Sequence, residues 1–201
     1  MSLGDHIFPW INDVALGKAM EPLRARVAAG ARGRVLEVAA GSGLNFAHYP
    51  PSVDVIAVEP AVGMRARADE RRFRAAAVIQ VIDGRAEALP FDAGSFDTVI
   101  ITFALCSIKR LGGTLSEVRR VLRDGGELRL VEHVKSEDPR VSRLQERIEP
   151  VWKWAFGGCS LLRDVRGELA QVGFEVSALS SIDLPLPLPA RAGVIGAAIK
   201  R

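Results

Sequence analysis

The residues best placed to do chemistry begin with the run Val35-Leu36-Glu37-Val38-Ala39-Ala40-Gly41-Ser42-Gly43-Leu44-Asn45, an apolar stretch that gives way to small residues. A loop of this kind after a strand lets a ligand approach the backbone, which larger side chains would prevent. A second apolar stretch, Val55-Ile56-Ala57-Val58, ends at Glu59 and Pro60, and Glu59 lies 59 − 37 = 22 residues beyond Glu37. That is close to the ~20-residue spacing at which a carboxylate reaches the hydroxyls of a bound ribose. Each feature alone has a plainer reading: glycines make tight turns without ligands, Glu59 would serve as a helix cap, and Glu37 would pair with a Lys or Arg. Their order and spacing together point to a nucleotide-like ligand.

A third run, Ile82-Asp83-Gly84-Arg85-Ala86-Glu87-Ala88-Leu89-Pro90-Phe91, is followed by Gly94-Ser95-Phe96-Asp97. To present these segments side by side the chain needs a parallel sheet, and the hydrophobic pattern provides one. Apolar runs over 34–38, 54–58, 77–82, 98–102 and 127–133 show little alternation, as strands covered on both faces do. Helical stretches over 45–48, 62–74, 111–123 and 163–172 fall between and after them, and further strands are read over 174–179 and 193–199. Pro185, Pro187 and Pro189 read as an extended connection between these last two strands. Leu16, Met20, Leu23 and Val27 recur at helical spacing, so residues 1–33 read as a helical cap on a core of residues 34–201. The 201 residues suit one α/β domain.

The composition excludes several function classes. With 48% hydrophobic and 25% charged residues the chain is globular. Its net charge of +3 is dispersed, and the densest basic stretch, residues 65–74, contains Asp69 and Glu70, so no nucleic-acid footprint is present. Two cysteines, Cys106 and Cys159, cannot build a disulfide framework, and no Cys/His run has zinc spacing, so no metal is expected. No stretch approaches the ~20 apolar residues of a membrane span, and no signal-peptide order is seen, which predicts a cytoplasmic protein.

Over residues 34–133 the ordered motifs Glu-x-Ala-x-Gly-x-Gly, the acid after the second strand, Ala-Glu-x-Leu-Pro-Phe and Gly-Ser-Phe-Asp resemble the class I S-adenosylmethionine-dependent methyltransferases of ubiquinone and menaquinone biosynthesis and their relatives. Leu105-Cys106-Ser107, Glu117-Val118-Arg119-Arg120-Val121-Leu122, Glu132-His133-Val134, Glu149-Pro150-x-Trp152-Lys153 and Gly158-Cys159-x-Leu161 extend the likeness to the methyltransferase-like seven branch, whose animal members methylate small thiols. That branch's N-terminal membrane anchor has no counterpart in this reading. The resemblance implies a Rossmann-like sheet of seven mostly parallel strands with the last antiparallel, and S-adenosylmethionine across the carboxyl ends of strands one to four. By matching motif, Glu37, Ala39, Gly41, Gly43 and Asn45 would line the methionine and ribose side, with Glu59 and Pro60 at the ribose. Asp83, Gly84, Arg85 and Ala86 would flank adenine, and Thr102 and Phe103 the methionine part. Two positions depart from the family: Ala39 replaces a usual glycine and tightens the loop, and Arg85 replaces an Asp that bonds the adenine amino group. Arginine cannot accept that bond, which passes to Asp83 or to the backbone.

Methyl transfer from a sulfonium requires alignment and exclusion of water more than a strong base. His133, at the end of the fifth strand, is the candidate catalytic residue, able to donate to or take a proton from a thiol acceptor; a strand-end histidine bonded to backbone is the plainer reading. His6 and His48 are weaker candidates. Trp10, Trp152, Trp154 and Phe156 either wall an apolar acceptor pocket or simply pack, and the two cysteines read as small buried residues rather than nucleophiles. The expected acceptor is a small, fairly apolar molecule, a thiol as first choice, with phenols or quinols and amines as alternatives. Two other classes compete. A nicotinamide-dependent oxidoreductase shares the loop and acid but needs a third small residue at position 46, where Phe46 stands. A non-catalytic cofactor-binding module shares the fold, and the intact loop and Glu59 weigh against it.

Overall fold

The computed structural model describes residues 17–201. Five strands form the parallel core: β1 (Arg34–Val38), β2 (Asp54–Val58), β3 (Val78–Ile82), β4 (Phe96–Thr102) and β5 (Leu122–His133). Around them lie α1 (Gly17–Ala28), α2 (Val62–Arg72), α3 (Leu111–Val121), α4 (Pro139–Ala155) and α5 (Val165–Gln171). The chain closes with β6 (Phe174–Glu175), β7 (Leu179–Asp183) and β8 (Ala192–Lys200). The sheet order is β3-β2-β1-β4-β5-β8-β6, with β7 also paired to β8. β8 runs antiparallel to β5, as expected for a closing strand of opposite direction.

The order reverses between β1 and β4. The chain winds outward from β1 to β3 and then restarts on the other side of β1, so the loops leaving β1 and β4 diverge and open a crevice at the carboxyl ends. Both faces of the sheet are covered, which explains the unbroken apolar runs. Leu36 and Val38 of β1 pack in one layer with Leu115 and Val118 of α3, whereas Val35 packs in the other with Val27 and Ala28 of α1. The cap helix buries Met20 and Val27 as the spacing predicts. Leu16, Trp10, Pro9 and His6 lie outside the described residues.

Four elements differ from expectation. The helix over 45–48 is a single 3-10 turn, Phe46–His48. The helix over 111–123 ends at Val121, because Leu122 turns extended and pairs with Phe96, drawing Asp124-Gly125-Gly126 into the start of β5. α4 was not anticipated at all, although Asp138 caps it by accepting from Arg140 N at 2.7 Å and Pro139 begins it. Its apolar residues Val141, Leu144, Ile148 and Trp152 recur at helical spacing, but its most buried residues are Gln145 and Glu149, while Val151 and Trp154 are exposed. Finally, the strand over 174–179 is broken into β6 and β7, so the sheet counts eight strands rather than seven. Both pieces pair along β8, and residues 176–178 leave the edge between them.

Where the chain returns to the edge, Gly196 has φ +143° and faces the Ala178 carbonyl. A Cβ at 196 would sit 2.3 Å from that oxygen. Gly196→Ala is therefore expected to cost about 2 kcal/mol or more, combining backbone strain with the clash, read as a lowered denaturant midpoint; an unchanged midpoint would refute this close approach.

Candidate functional site

The crevice holds a cavity of about 470 Å³. Its floor is the loop after β1 (Ala39, Ala40, Gly41, Ser42, Leu44) together with Thr102 and Phe103 at the end of β4. Met20 and Arg24 of α1, Met64 of α2, and Leu186 and Pro187 close parts of its wall. Ala39 and Phe103 both adopt left-handed backbone, φ +54° and +53°. For residues with side chains this conformation is costly, and here it occurs at the two loops that bracket the crevice.

A chain of hydrogen bonds sets the loop. Glu37, buried at the end of β1, accepts from Asn45 Nδ2 at 2.9 Å and from the Tyr49 hydroxyl at 2.6 Å. Asn45 Nδ2 also donates to Thr102 Oγ1 at 3.0 Å, and Arg24 Nη1 donates to the same oxygen at 2.6 Å. The Arg24 guanidinium lies 5.0 Å from the Phe103 ring centroid. At the end of β2, Glu59 accepts from Gly41 N and Ala61 N, both at 2.9 Å, so its carboxylate holds the loop against the second strand. Gly41, at φ +58°, has no atom within 4 Å of where a Cβ would lie. The loop thus leaves open space over the backbone at Gly41, on the side of the cavity.

At the far end of the cavity, β5 delivers two titratable groups. Glu132 is buried and accepts from Ala104 N at 2.6 Å and Leu105 N at 2.9 Å, which fixes the loop carrying Cys106; burial pushes its carboxyl up to about 7. His133 Nε2 lies 2.9 Å from Cys159 Sγ, and Trp152 Nε1 donates to the same sulfur at 3.4 Å. Hydrogen bonds from Cys106, His133 and Trp152 draw the Cys159 thiol down to about 5 against its burial. Burial pulls His133 down, but the hydrogen bond and charge of Cys159 together with the charges of Glu132 and Glu149 hold it above its ordinary value, and Cys106 is pushed well up by Cys159 and by burial. Trp152 stacks on Phe156 with centroids 4.0 Å apart, completing an aromatic wall.

Of the residues named from sequence, Ala39, Gly41, Thr102, Phe103 and His133 line the cavity. Glu37 and Asn45 lie beneath it as supports, and Gly43 is spoken for by packing, since a Cβ there would lie 2.6 Å from Phe46. Glu59 adjoins the loop through Gly41 N, and the Pro60 carbonyl faces α2, accepting from Arg65 Nη1 at 2.6 Å. Asp83, Gly84, Arg85 and Ala86 stand outside the cavity: Asp83 pairs with Arg65 at 2.8 Å, Arg85 is exposed 3.8 Å from Glu87, Gly84 backs onto Val58, and Ala86 is buried in the core. Trp154 is 86% exposed and is no part of the wall, and His48 borders a different groove. Sequence reasoning missed Arg24, Tyr49 and the placement of Cys106 and Cys159 in the site. Arg24 had no signal beyond its position on the cap helix, and the cysteines lie 53 residues apart (159 − 106).

A family model described as a methyltransferase domain matches residues 36–130. Human thiol S-methyltransferase TMT1A is 34% identical over 166 residues, covering 76% of this chain and 64% of that protein. Human thiol S-methyltransferase TMT1B is 34% identical over 182 residues, covering 85% and 73%. A solved SAM-dependent methyltransferase from Thermotoga maritima superimposes with TM-score 0.72 over 98% of this chain and 97% of its own, at 19% identity, a likeness of fold. The reversed sheet and the glycine loop of the crevice therefore define a class I methyltransferase whose methyl donor is S-adenosylmethionine. The chain belongs to the family represented by these thiol S-methyltransferases, which sets aside the nicotinamide and non-catalytic readings. Among the described residues no helix is long and apolar enough to cross a membrane.

Two expectations follow. Glu59→Ala removes the charge-assisted contacts to Gly41 N and Ala61 N, worth about 1.5–3 kcal/mol each, that hold the glycine loop, so donor affinity measured by calorimetry should fall roughly tenfold or more in a folded variant; an unchanged dissociation constant would take Glu59 out of the site. The second concerns Glu37, whose carboxyl burial raises from its ordinary 4.5 to about 7 against the opposing pull of Tyr49, Asn45 and Arg24. Between these two values the folded state holds the proton that the unfolded state has lost, so this group's contribution to stability falls as pH rises, by up to about 3 kcal/mol. Wild type should therefore lose more stability from pH 5 to pH 7 than Glu37→Gln in paired denaturant melts, and equal losses would contradict the assignment.

Proposed function

We propose that this enzyme methylates the sulfur of a small, fairly apolar thiol, with Ala39, Gly41, Thr102 and Phe103 lining the donor's place and Glu37, Asn45 and Glu59 holding the loop beneath it. The observation that carries the reading is the far end of the cavity. His133 and two sulfur side chains meet there beneath Trp152 and Phe156, opposite the loop that takes the donor. The names of the two human relatives support the same acceptor class.

Bound S-adenosylmethionine supplies a methyl group on a positively charged sulfur. The chain's task is then to hold an acceptor atom in line and keep water out. Met20, Leu44, Met64 and Leu186 form the dry wall, and Arg24 ties the cap helix to the end of β4 above the loop. A thiol near its ordinary pKa of about 8.5 is a few per cent ionised at neutral pH, so a donor beside it is enough to favour the nucleophilic thiolate. His133 is placed to do this at the end of β5. Cys106 and Cys159 are both free, which fits a reducing compartment such as the cytoplasm, where acceptor thiols stay available.

The test incubates purified protein with labelled donor and a panel of alkyl and aryl thiols, phenols, quinols and amines. Thiols should be methylated in preference. His133→Ala should lower their turnover about 100-fold or more while leaving donor affinity unchanged. Methylation of phenols, quinols or amines in place of thiols would overturn the acceptor assignment.

A further inference from the structure

Three metal-binding donors converge at the acceptor end of the cavity from distant parts of the chain. The Sγ atoms of Cys106 and Cys159 and a ring nitrogen of His133 all lie within 4.8 Å of one another. Cys106 belongs to the loop after β4, His133 ends β5, and Cys159 follows α4. The two cysteine segments are fastened together, because Ser160 N donates to the Cys106 carbonyl at 3.0 Å. A tetrahedral ion with metal–sulfur bonds of about 2.3 Å and a metal–nitrogen bond of about 2.0 Å sets its donors roughly 3.5 to 3.8 Å apart. The cluster is already near that size, and the 2.9 Å contact between His133 Nε2 and Cys159 Sγ has only to open by about 0.6 Å for an ion to replace the proton between them.

The surroundings also suit an ion. Trp152 donates to Cys159 Sγ, and Ser107 Oγ lies 3.5 Å from Cys106 Sγ, the outer contacts that orient thiolate ligands. The Glu132 carboxyl is buried behind the donors, and among the described residues its Oε2 has no hydrogen-bond partner. Two cysteines and one histidine leave a fourth tetrahedral position open, the pattern of a catalytic rather than a closed structural site. All three residues border the cavity, so that position faces the acceptor.

We propose that Cys106, His133 and Cys159 bind a divalent thiophilic ion of the zinc type, whose open position takes the sulfur of the acceptor thiol. The proposal rests on the thiol reading above and replaces direct donation by His133 to the acceptor with ligation of the ion by its ring nitrogen. On binding, the acceptor loses its S–H proton to solvent and its sulfur stays on the ion as a thiolate with a lone pair free. That pair forms the new S–CH3 bond while the donor's sulfonium S–CH3 bond breaks and returns its electrons to the donor's sulfur. One negative and one positive sulfur become two neutral thioethers, and the methylated product, now a weaker ligand, leaves the ion. Selectivity for sulfur over phenol or amine follows from the softness of the donor set.

The test uses the whole protein, reduced, treated with a chelator and desalted. Titration with Co²⁺ should give a thiolate-to-metal charge-transfer band and the strong visible bands of a tetrahedral site, saturating at one equivalent and displaced by Zn²⁺. Cys159→Ser and, separately, Cys106→Ala should each abolish the charge-transfer band or weaken binding at least tenfold, with circular dichroism reporting that each variant is folded. Should Cys106→Ala not fold, Cys159→Ser and His133→Ala decide the same question. Adding an alkyl thiol to the Co²⁺ protein should shift the visible bands. Substoichiometric or octahedral cobalt, binding indifferent to Cys159→Ser, or a Cys106–Cys159 disulfide as the stable reduced-buffer state would overturn the site. Full thiol methylation by chelator-treated protein would overturn the ion's role while leaving the thiol reading intact. A tetrahedral cobalt spectrum with no thiol methylated under any metal would instead leave the ion site standing and defeat the thiol reading.

Discussion

A carboxylate buried at the end of β1 is the constraint on which the donor side of the molecule depends. Glu37 is 1% exposed, and a charge or an unpaired carboxyl in that position would be costly. It is accommodated only because the chain turns back over it, bringing Asn45 and Tyr49 into hydrogen-bonding range. The course of residues 39–49 is thereby dictated. The loop must fold inward over the strand end, which places Ala39 in left-handed backbone and leaves the open face of Gly41 toward the crevice. Asn45 then passes the constraint to Thr102, and Arg24 carries it to the cap helix. One buried acid thus connects β1, the glycine loop, β4 and α1.

Much of this scaffold was legible in the residues. The five parallel strands appear as apolar runs because both faces are covered, and the glycine loop and Glu59 stand out by spacing. The site's second half was not legible, for physical reasons. α4 buries Gln145 and Glu149 instead of an apolar stripe: Gln145 donates to the carbonyls of Val134 and Pro189, and Glu149 accepts from Ser160 and Leu161. The polar docking hid what this helix packs against, whereas the helical spacing of Val141, Leu144, Ile148 and Trp152 and the Asp138-Pro139 start were usable signals for the helix itself. Trp154 read as a pocket wall because residue type carries no information about direction, and on α4 it points away from the core. The meeting of Cys106, His133 and Cys159 depends on tertiary closure and leaves no local spacing to read.

The adenine end shows where family pattern and geometry part. Asp83 is tied to Arg65, whose Nη1 also reaches the carbonyls of Glu59 and Pro60, so the segment after β3 is anchored to the end of β2 by a cation. Arg85 projects outward near Glu87. The cavity accordingly stops short of Asp83 and is lined by the two loops that leave β1 and β4.

Those loops are held in the same physical way, and the parallel sheet explains why. Parallel strands end together, so each loop begins beside the last side chains of its neighbours. Glu37 at the end of β1 receives Asn45 and Tyr49, and Glu132 at the end of β5 receives the amides of Ala104 and Leu105. Burial raises both carboxyls to about 7, the expected consequence of spending charged groups as internal anchors. One anchor shapes the donor loop; the other positions Cys106 against His133 and Cys159. Because the two anchored loops flank the point where the strand order reverses, donor and acceptor regions are fixed independently yet share one cavity. The distance between them is then set by the rigid β1–β4 pairing, with Leu36 opposite Val99 and Glu37 opposite Ile100. In a reaction limited by alignment of two atoms, that separation of anchors from the reacting groups lets polar rigidity lie beneath the site while its walls stay apolar.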